Sequence, residues 1–420
     1  MKNSIKLILI VILAATLQLN ASSPYKPIPV YYNGAMTPYD FSLEDPNVAW
    51  TDSLKPVYVS YISRHGTRYL TGPGKFKDVA VALKEAEKEG MLTEQGKKFL
   101  GLVRVAEKDN AGRWGLLSEV GIAEASRLGS NMTKLMPGLF KNGKSESRAT
   151  YVPRAIMTMY QFLHSLEIPN KKLEVYTSAG RQNDSLLRFF TEDKKYANFR
   201  ENGAWKPIYD EFVKKNVSPA PARRLFAKKY KKSAFELSKL TMSMYGLLQG
   251  NLAAGLPCPD TEFFSDAEYR GCWKANNMVH YLRNNITPVS DLAATACMPL
   301  LQDIIAGINK AQKKGCDVKM RGYFAHAETL LPLLSLMRLP GCFVMTSNYD
   351  DLDKVWQVQK ITPLAGNLAI ILLKGKSGEY YVSLRLNGQN IAPLTGEGKI
   401  VKWHDLRSYW KHIMREYSKR

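Results

Sequence analysis

The sequence predicts an α/β fold in which both ends of the chain build one large α/β domain and a smaller all-α domain is inserted between them. Three observations predict it. Over roughly the first 180 residues, β-branched and aromatic runs alternate with amphipathic helical patterns, the signature of a sheet with helical crossovers. Between residues 183 and 290 the β-branched runs vanish and helical patterns dominate. Strand character then returns at residues 318–324 and persists almost to the end. The expected boundaries are 1–22 for a signal peptide, 23–182 with 291–420 for the α/β core, and 183–290 for the helical insert. A chain of 420 residues has the length for such a two-part body.

At the amino terminus Lys2 and Lys6 accompany an apolar run over residues 5–17, followed by Gln18 and the small residues Ala21, Ser22 and Ser23. That pattern is a secretory signal with cleavage near Ala21 to Ser23, so the mature protein is expected in a periplasm or outside the cell. No cysteine follows the run, so no lipid anchor is expected. No later segment approaches the ~20 apolar residues of a membrane span.

Residues 57–62 read as a strand covered on both faces. Gly72-Pro73-Gly74 is a turn, and Lys75 starts a helix with Phe76, Val79, Ala80, Leu83 and Ala86 on one face, stopped by Gly90. Thr93-Glu94 opens a second helix, and Ser118 caps a third bearing Ile122, Ala125, Leu128, Met132 and Leu135. Residues 148–151 look like a short strand. Pro153 starts a helix with Ile156, Met159, Phe162, Leu163 and Leu166 inward, and residues 173–177 form the next strand. After the helical insert, a strand over 318–324 leads into an apolar helix opened by Thr329. Residues 368–373 and 380–386 form a hairpin around Gly375-Lys376-Ser377-Gly378, Asn387-Gly388 is a further turn, and a helix over 403–417 closes the chain.

Lysine and arginine number 59 against 38 acidic residues, a net charge of +21. Such an excess steers polyanions to the surface: nucleic acid, acidic polysaccharide, anionic membrane or a phosphorylated small molecule. The run from Arg223 to Lys232 is read as a solubilising surface. All five cysteines (Cys258, Cys272, Cys297, Cys316, Cys342) lie in the second half. An odd number leaves a thiol free and allows at most two disulfides. No CxxC pair occurs, so no cysteine-based metal site is expected.

The chemistry concentrates where the first strand ends, at Arg64-His65-Gly66-Thr67-Arg68. The carboxyl end of a strand in an open α/β sheet is where ligands bind. Two guanidinium groups suit bidentate capture of phosphate or carboxylate, and they disfavour imidazolium beside them. The loop reads either as an anion site with a potential nucleophile in it or as a surface arginine-rich turn with a solvated histidine. Two further strand ends present Arg181 and the pair His326/Glu328. Arg154 stands at a helix start, where backbone N–H groups favour anions. Lys75 and Arg181, just after strand ends, are candidate anion contacts, as is Thr67 within the loop itself.

Ser63-Arg64-His65-Gly66-Thr67-Arg68-Tyr69 resembles the signature of the histidine acid phosphatase superfamily, with Leu70 where a proline is usual. Ser118 to Gly121 and Arg148 to Arg154 are similar to two further segments of that family. Ala325-His326-Ala327-Glu328 matches the His-Ala-Glu motif of its multiple inositol polyphosphate phosphatase branch, where most relatives carry His-Asp. The similarity spans roughly residues 55–374.

The resemblance implies a phosphoglycerate-mutase-like, histidine-phosphatase α/β domain whose cleft is roofed by the helical insert. It implies His65 as a nucleophile that forms a phosphohistidine, Arg64, Arg68, Arg154 and His326 as the phosphate clamp, and Glu328 as the proton donor, with no metal or cofactor. It also implies inositol hexakisphosphate and lower inositol polyphosphates as substrates, a small polyanion rather than nucleic acid. A broader acid phosphatase, a 2,3-bisphosphoglycerate phosphatase and a non-enzymatic exported polyanion-binding protein are the alternatives.

Overall fold

The protein is described from a computed structural model that covers residues 32–418. The segment expected to be a signal peptide lies outside these described residues. Strand β1 (Leu54–Arg64) is the spine, and it is fully buried from Tyr58 to its end. Its side chains alternate between two cores. Tyr58 and Ile62 enter one, Val59 and Tyr61 the other, as a period of two requires when both faces are covered.

The remaining strands are β2 (Asn142–Ala149), β3 (Lys172–Ala179), β4 (Val318–Ala325), β5 (Asn367–Gly375), β6 (Tyr380–Leu386), β7 (Gln389–Ile391) and β8 (Ile400–Lys402). They line up as β3-β2-β4-β1-β5-β6-β7, with β8 also on β6. The first four positions in that order are parallel, and the turn to antiparallel pairing comes between β1 and β5. Arg64 is thus level with Ala325, and Ala149 with both Phe324 and Ala179. Four carboxyl ends therefore open on one edge, each followed by a charged loop or helix start.

The longer helices are α1 (Lys77–Lys88), α2 (Glu94–Asn110), α3 (Glu119–Leu135), α4 (Pro153–Glu167), α5 (Lys194–Asn202), α6 (Trp205–Asn216), α7 (Ala234–Ala254), α8 (Asp266–Asn284), α9 (Leu292–Ala311), α10 (Ala327–Leu336) and α11 (Trp403–Ser418). Thr93 and Ser118 cap α2 and α3 through their hydroxyls, as their position before each apolar periodicity predicts. Helices α3 and α4 cover one face of the sheet through Leu128, Met132, Met159, Phe162 and Leu166. Helices α9, α10 and α11 cover the other, and their core runs without a break into the helical lobe.

That lobe draws on more of the chain than residues 183–290. Helices α1 and α2 pack against α7; the backbone of Val79 donates to Ser243 Oγ, and Gly96 sits against the carbonyl of Leu225. The lobe is thereby fastened to the segment that directly follows the β1 loop.

Two expectations are corrected, the start of one strand and the absence of a long apolar segment. Strand β2 begins at Asn142 rather than Arg148. Its first six residues, Asn-Gly-Lys-Ser-Glu-Ser, include no β-branched residue and are held in the sheet by neighbouring strands. Helix α9 is long and apolar enough, by length and composition alone, to cross a bilayer. The sequence had suggested no such segment; here its apolar side is buried on β1, α10 and α11. No disulfide joins the five cysteines among the described residues, and four of the five are buried. Arg223 and Arg224 in the basic run are committed to local carbonyls and to Glu268, which leaves the exposed lysines as surface.

Candidate active site

The loop after β1 is fixed before any ligand is considered. The backbone N–H of His65 donates to Ala325 O of β4 at 3.0 Å, and that of Arg64 donates to Gly366 O at 2.8 Å. Gly66 N–H donates to Thr158 Oγ1 of α4 at 3.1 Å. A methyl group on Gly66 would lie 2.7 Å from Gly121 O, and one on Gly121 would meet the backbone of Thr67. The loop and the first turn of α3 therefore touch backbone to backbone, which explains a glycine at both positions.

Glu124 of α3 completes the anchorage. It is 4 % exposed, and it accepts from Thr67 N–H at 2.7 Å, Thr67 Oγ1 at 2.7 Å and Tyr39 N–H at 3.1 Å. Thr67, expected as a substrate contact, is accordingly a correction: it is fully buried and its hydroxyl is spent on Glu124. Glu124→Ala would strand these buried donors at about 1–3 kcal/mol for each. We expect a lower melting temperature and, from a loop displaced by even 1 Å, a loss of kcat on the order of 10². Thermal unfolding with steady-state phosphate release checks both.

His65 is buried, and its Nδ1 lies 2.9 Å from Gly66 O. A carbonyl only accepts, so Nδ1 carries the proton and Nε2 keeps its lone pair. Burial first, then Arg154, Arg68 and Arg64, hold its pKa well below the ordinary histidine value. That is the direction the flanking arginines predicted. His326 faces it with ring centroids 5.5 Å apart, and its Nε2 lies 3.2 Å from Thr150 Oγ1. Burial, then Arg154, push His326 down to about 3. His326 stands at the N-cap position of α10, which puts Glu328 in the first turn of that helix.

The arginines surround these rings. Arg64 Nη1 donates to Ala35 O at 2.8 Å and Thr362 O at 2.7 Å. Arg68 Nη1 donates to Tyr69 O at 2.9 Å. Arg154 enters from the start of α4. Among the described residues, the buried Nε–H groups of Arg64, Arg68, Arg154 and also Arg188 find no acceptor. Burial and neighbouring guanidinium groups bring Arg64 down to about 10 and Arg68 to about 9, so both stay charged across the physiological range. Cations crowded together with donors unspent form a receptor for a multiply charged anion.

Glu328 is the carboxylate in this field. Burial opposes its ionisation, but Arg200, His326, its own backbone N–H and His280 outweigh burial and hold it well below the usual carboxylate range. Lys75 is exposed as a residue. Its ammonium is lowered by withdrawal from solvent and by Arg68, and it also feels Glu328 and Arg283, which places it on the cleft wall. Arg181 is exposed at the rim, its guanidinium 4.1 Å over the Tyr151 ring, which Arg188 also approaches at 4.7 Å.

The structure thus brings Arg64, His65, Arg68, Arg154, His326 and Glu328 together, puts Lys75 beside them and Arg181 at the edge. It adds Arg188, Arg200, His280 and Arg283, which the sequence did not single out. Arg188 lies among Arg154, His326 and the Phe190 ring. Arg200, His280 and Arg283 line the roof from α5 and α8. Three basic side chains on strongly helical segments give no periodic signal that separates them from solvated ones.

The sequence profile of the histidine phosphatase superfamily (branch 2) matches residues 57–387. The chain is 24% identical to multiple inositol polyphosphate phosphatase 1 of Homo sapiens over 438 residues, covering 91% of this chain and 86% of that protein. Among solved structures, it superposes on the Bifidobacterium longum multiple inositol polyphosphate phosphatase in complex with inositol hexasulfate. The TM-score is 0.73 at 15% identity, covering 90% of this chain and 97% of the other. The phytase from D. castellii gives a TM-score of 0.67 at 15% identity, covering 91% and 85%.

Proposed function

The chain belongs to branch 2 of the histidine phosphatase superfamily, and from that premise we propose that it hydrolyses inositol hexakisphosphate and lower inositol polyphosphates through a phosphohistidine on His65. One observation carries the choice of substrate. Beyond the clamp of Arg64, Arg68, Arg154 and His326, the cleft gathers Lys75, Arg188, Arg200 and Arg283, more cations than a single phosphate can use. Each phosphate group carries about −1.5 to −2 charges near neutral pH, so several on one ring would engage them together. The names of the relatives point the same way.

In the proposed reaction Arg64, Arg68, Arg154 and His326 hold the equatorial oxygens while His65 Nε2 attacks phosphorus in line. The cations are in place before charge develops, which is where most of the rate acceleration arises. Glu328 gives a proton to the departing inositol oxygen, then takes one from the water that attacks the phosphohistidine. The scheme draws only on side-chain cations. The amino-terminal segment supports export, with the enzyme meeting its substrate in a periplasm or outside the cell; sequencing the amino terminus of the mature protein tests this.

The function is tested by comparing kcat/KM on inositol hexakisphosphate with that on a simple aryl phosphate. We expect inositol hexakisphosphate to be preferred by more than tenfold, because even one extra desolvated charge contact contributes about 1.5–3 kcal/mol. Equal values on the two would leave a general acid phosphatase as the better description.

A further inference from the structure

Glu328 and Arg200 come from opposite sides of the cleft. Glu328 lies in the first turn of α10, at the end of β4, and Arg200 projects from α5 of the roof. Arg200 Nη2 stands 3.7 Å from Glu328 Oε1, with the arginine side chain 11% exposed and the glutamate side chain 33% exposed. The arginine is held there independently of Glu328. Its Nε donates to Asn284 Oδ1 at 3.2 Å, its Nη1 to Phe190 O at 3.4 Å, and its guanidinium lies 5.0 Å from the centre of the Phe190 ring. Arg283 Nε in turn donates to Arg200 O at 3.0 Å, so α8 braces the backbone beneath it.

This pairing conflicts with the work assigned to Glu328. A proton donor must carry a proton, and a carboxylate facing a fixed guanidinium does not keep one. The surroundings deepen the conflict. Glu328 also feels Arg64 and Arg68 from the β1 loop, Lys75 from the turn before α1, Arg154 from α4, and His280 and Arg283 from α8. His326 on its own helix start and the Tyr196 hydroxyl of α5 complete the set. Every nearby cation favours the charged carboxylate.

We propose that Arg200 is a hold on the proton donor that the substrate itself releases: a phosphate not undergoing cleavage takes Arg200, and Glu328, now facing added negative charge, takes up a proton from solvent. This rests on the function proposed above. The protonated carboxyl passes that proton to the ester oxygen as the P–O bond breaks and the His65 Nε2–P bond forms. The carboxylate then accepts a proton from the attacking water as the N–P bond breaks and inorganic phosphate leaves. The borrowed proton returns to solvent when the last phosphate contact to Arg200 is lost. A small monophosphate that fills only the clamp leaves the hold in place, so the enzyme commits its acid only to polyphosphates.

Two measurements test this on the full enzyme. The first is calorimetric binding of inositol hexasulfate, which needs no turnover, near pH 5.5 in buffers of different ionisation enthalpy. Proton uptake is expected in the wild type and a marked loss of it in Glu328→Gln. Uptake unchanged in Glu328→Gln would place the proton on His65, His280 or His326 and overturn the inference. The second is Arg200→Gln. Without the hold, kcat on glycerol 2-phosphate should rise, and the pH at which it falls on the alkaline side should move up by about one unit, one unit being tenfold in protonated fraction. On inositol hexakisphosphate KM should rise instead. A purely structural role for Arg200 would lower kcat on both substrates and leave the pH limb in place, which also overturns the inference. Hydrolysis of inositol hexakisphosphate without uptake on binding the sulfate analogue sinks this inference alone. Absence of that hydrolysis in the wild type sinks the proposed substrate, while the glycerol phosphate comparison still judges Arg200.

Discussion

Replacing His65 with alanine should abolish phosphate release from every substrate, with kcat falling on the order of 10⁴–10⁶, the scale seen when a nucleophile is deleted from a constellation that otherwise survives. The loss should be chemical rather than structural. His65 holds the loop through its backbone N–H to Ala325 and its carbonyl to Ala365, and both remain in the variant. The ring's hydrogen bond is a local one, to Gly66 O. Circular dichroism and melting temperature should therefore stay close to wild type. Substrate binding should persist as well, because Arg64, Arg68 and Arg154 keep their positions. Rapid mixing of the wild type with a labelled phosphoester, quenched in alkali where phosphohistidine survives, should leave label on the protein. The same quench of the variant should leave none. A variant that turns over at the wild-type rate would remove His65 from the mechanism.

The nucleophile loop is legible in the sequence because two physical signals coincide there. The run from Val57 to Ile62 has no polar face, which only a strand sandwiched between two cores tolerates, and charge appears abruptly where that run stops. The same coincidence at Phe324 to Glu328 marks β4. That β1 and β4 are adjacent and parallel, so that Arg64 and Ala325 share a level, is a long-range fact that neither run contains. Strand β2 was only half visible because its residues are polar; Ser145 and Ser147 are buried by the strands beside them rather than by their own preference. Thr67 misled for a related reason. Its place in the loop between Arg64 and Arg68 suggests a ligand contact, yet Glu124, 57 residues further along the chain, claims its hydroxyl.

The roof shows the other limit. Arg200, His280 and Arg283 sit on helices whose patterns are correctly read as helical, but helicity says nothing about which cation turns toward a cleft. Only the tertiary arrangement separates Arg200, held against Glu328, from Lys214, which pairs with Glu211 one turn away on the same exposed helix.

Glu328→Gln should split substrates by the basicity of what they release. An inositol oxygen leaves as a strongly basic alkoxide unless it is protonated as the P–O bond breaks, so inositol hexakisphosphate should lose on the order of 10²–10⁴ in kcat, the usual weight of a positioned general acid. A 4-nitrophenolate leaves comfortably as an anion, and its rate should fall far less. The substitution preserves size and keeps an oxygen for Arg200, so the fold should not confuse the result. The pH dependence supplies the sign. In the bound wild type the proton on Glu328 is lost as pH rises, so kcat on inositol hexakisphosphate should fall on the alkaline side. Glutamine has no proton to lose, and that limb should disappear. An equal loss on both substrates, with the alkaline limb intact, would mean that the donor is another group in the cleft. His280 is then the first to examine, since its buried Nδ1 is without a hydrogen-bond partner among the described residues and it lies within the field of both Glu328 and Lys75.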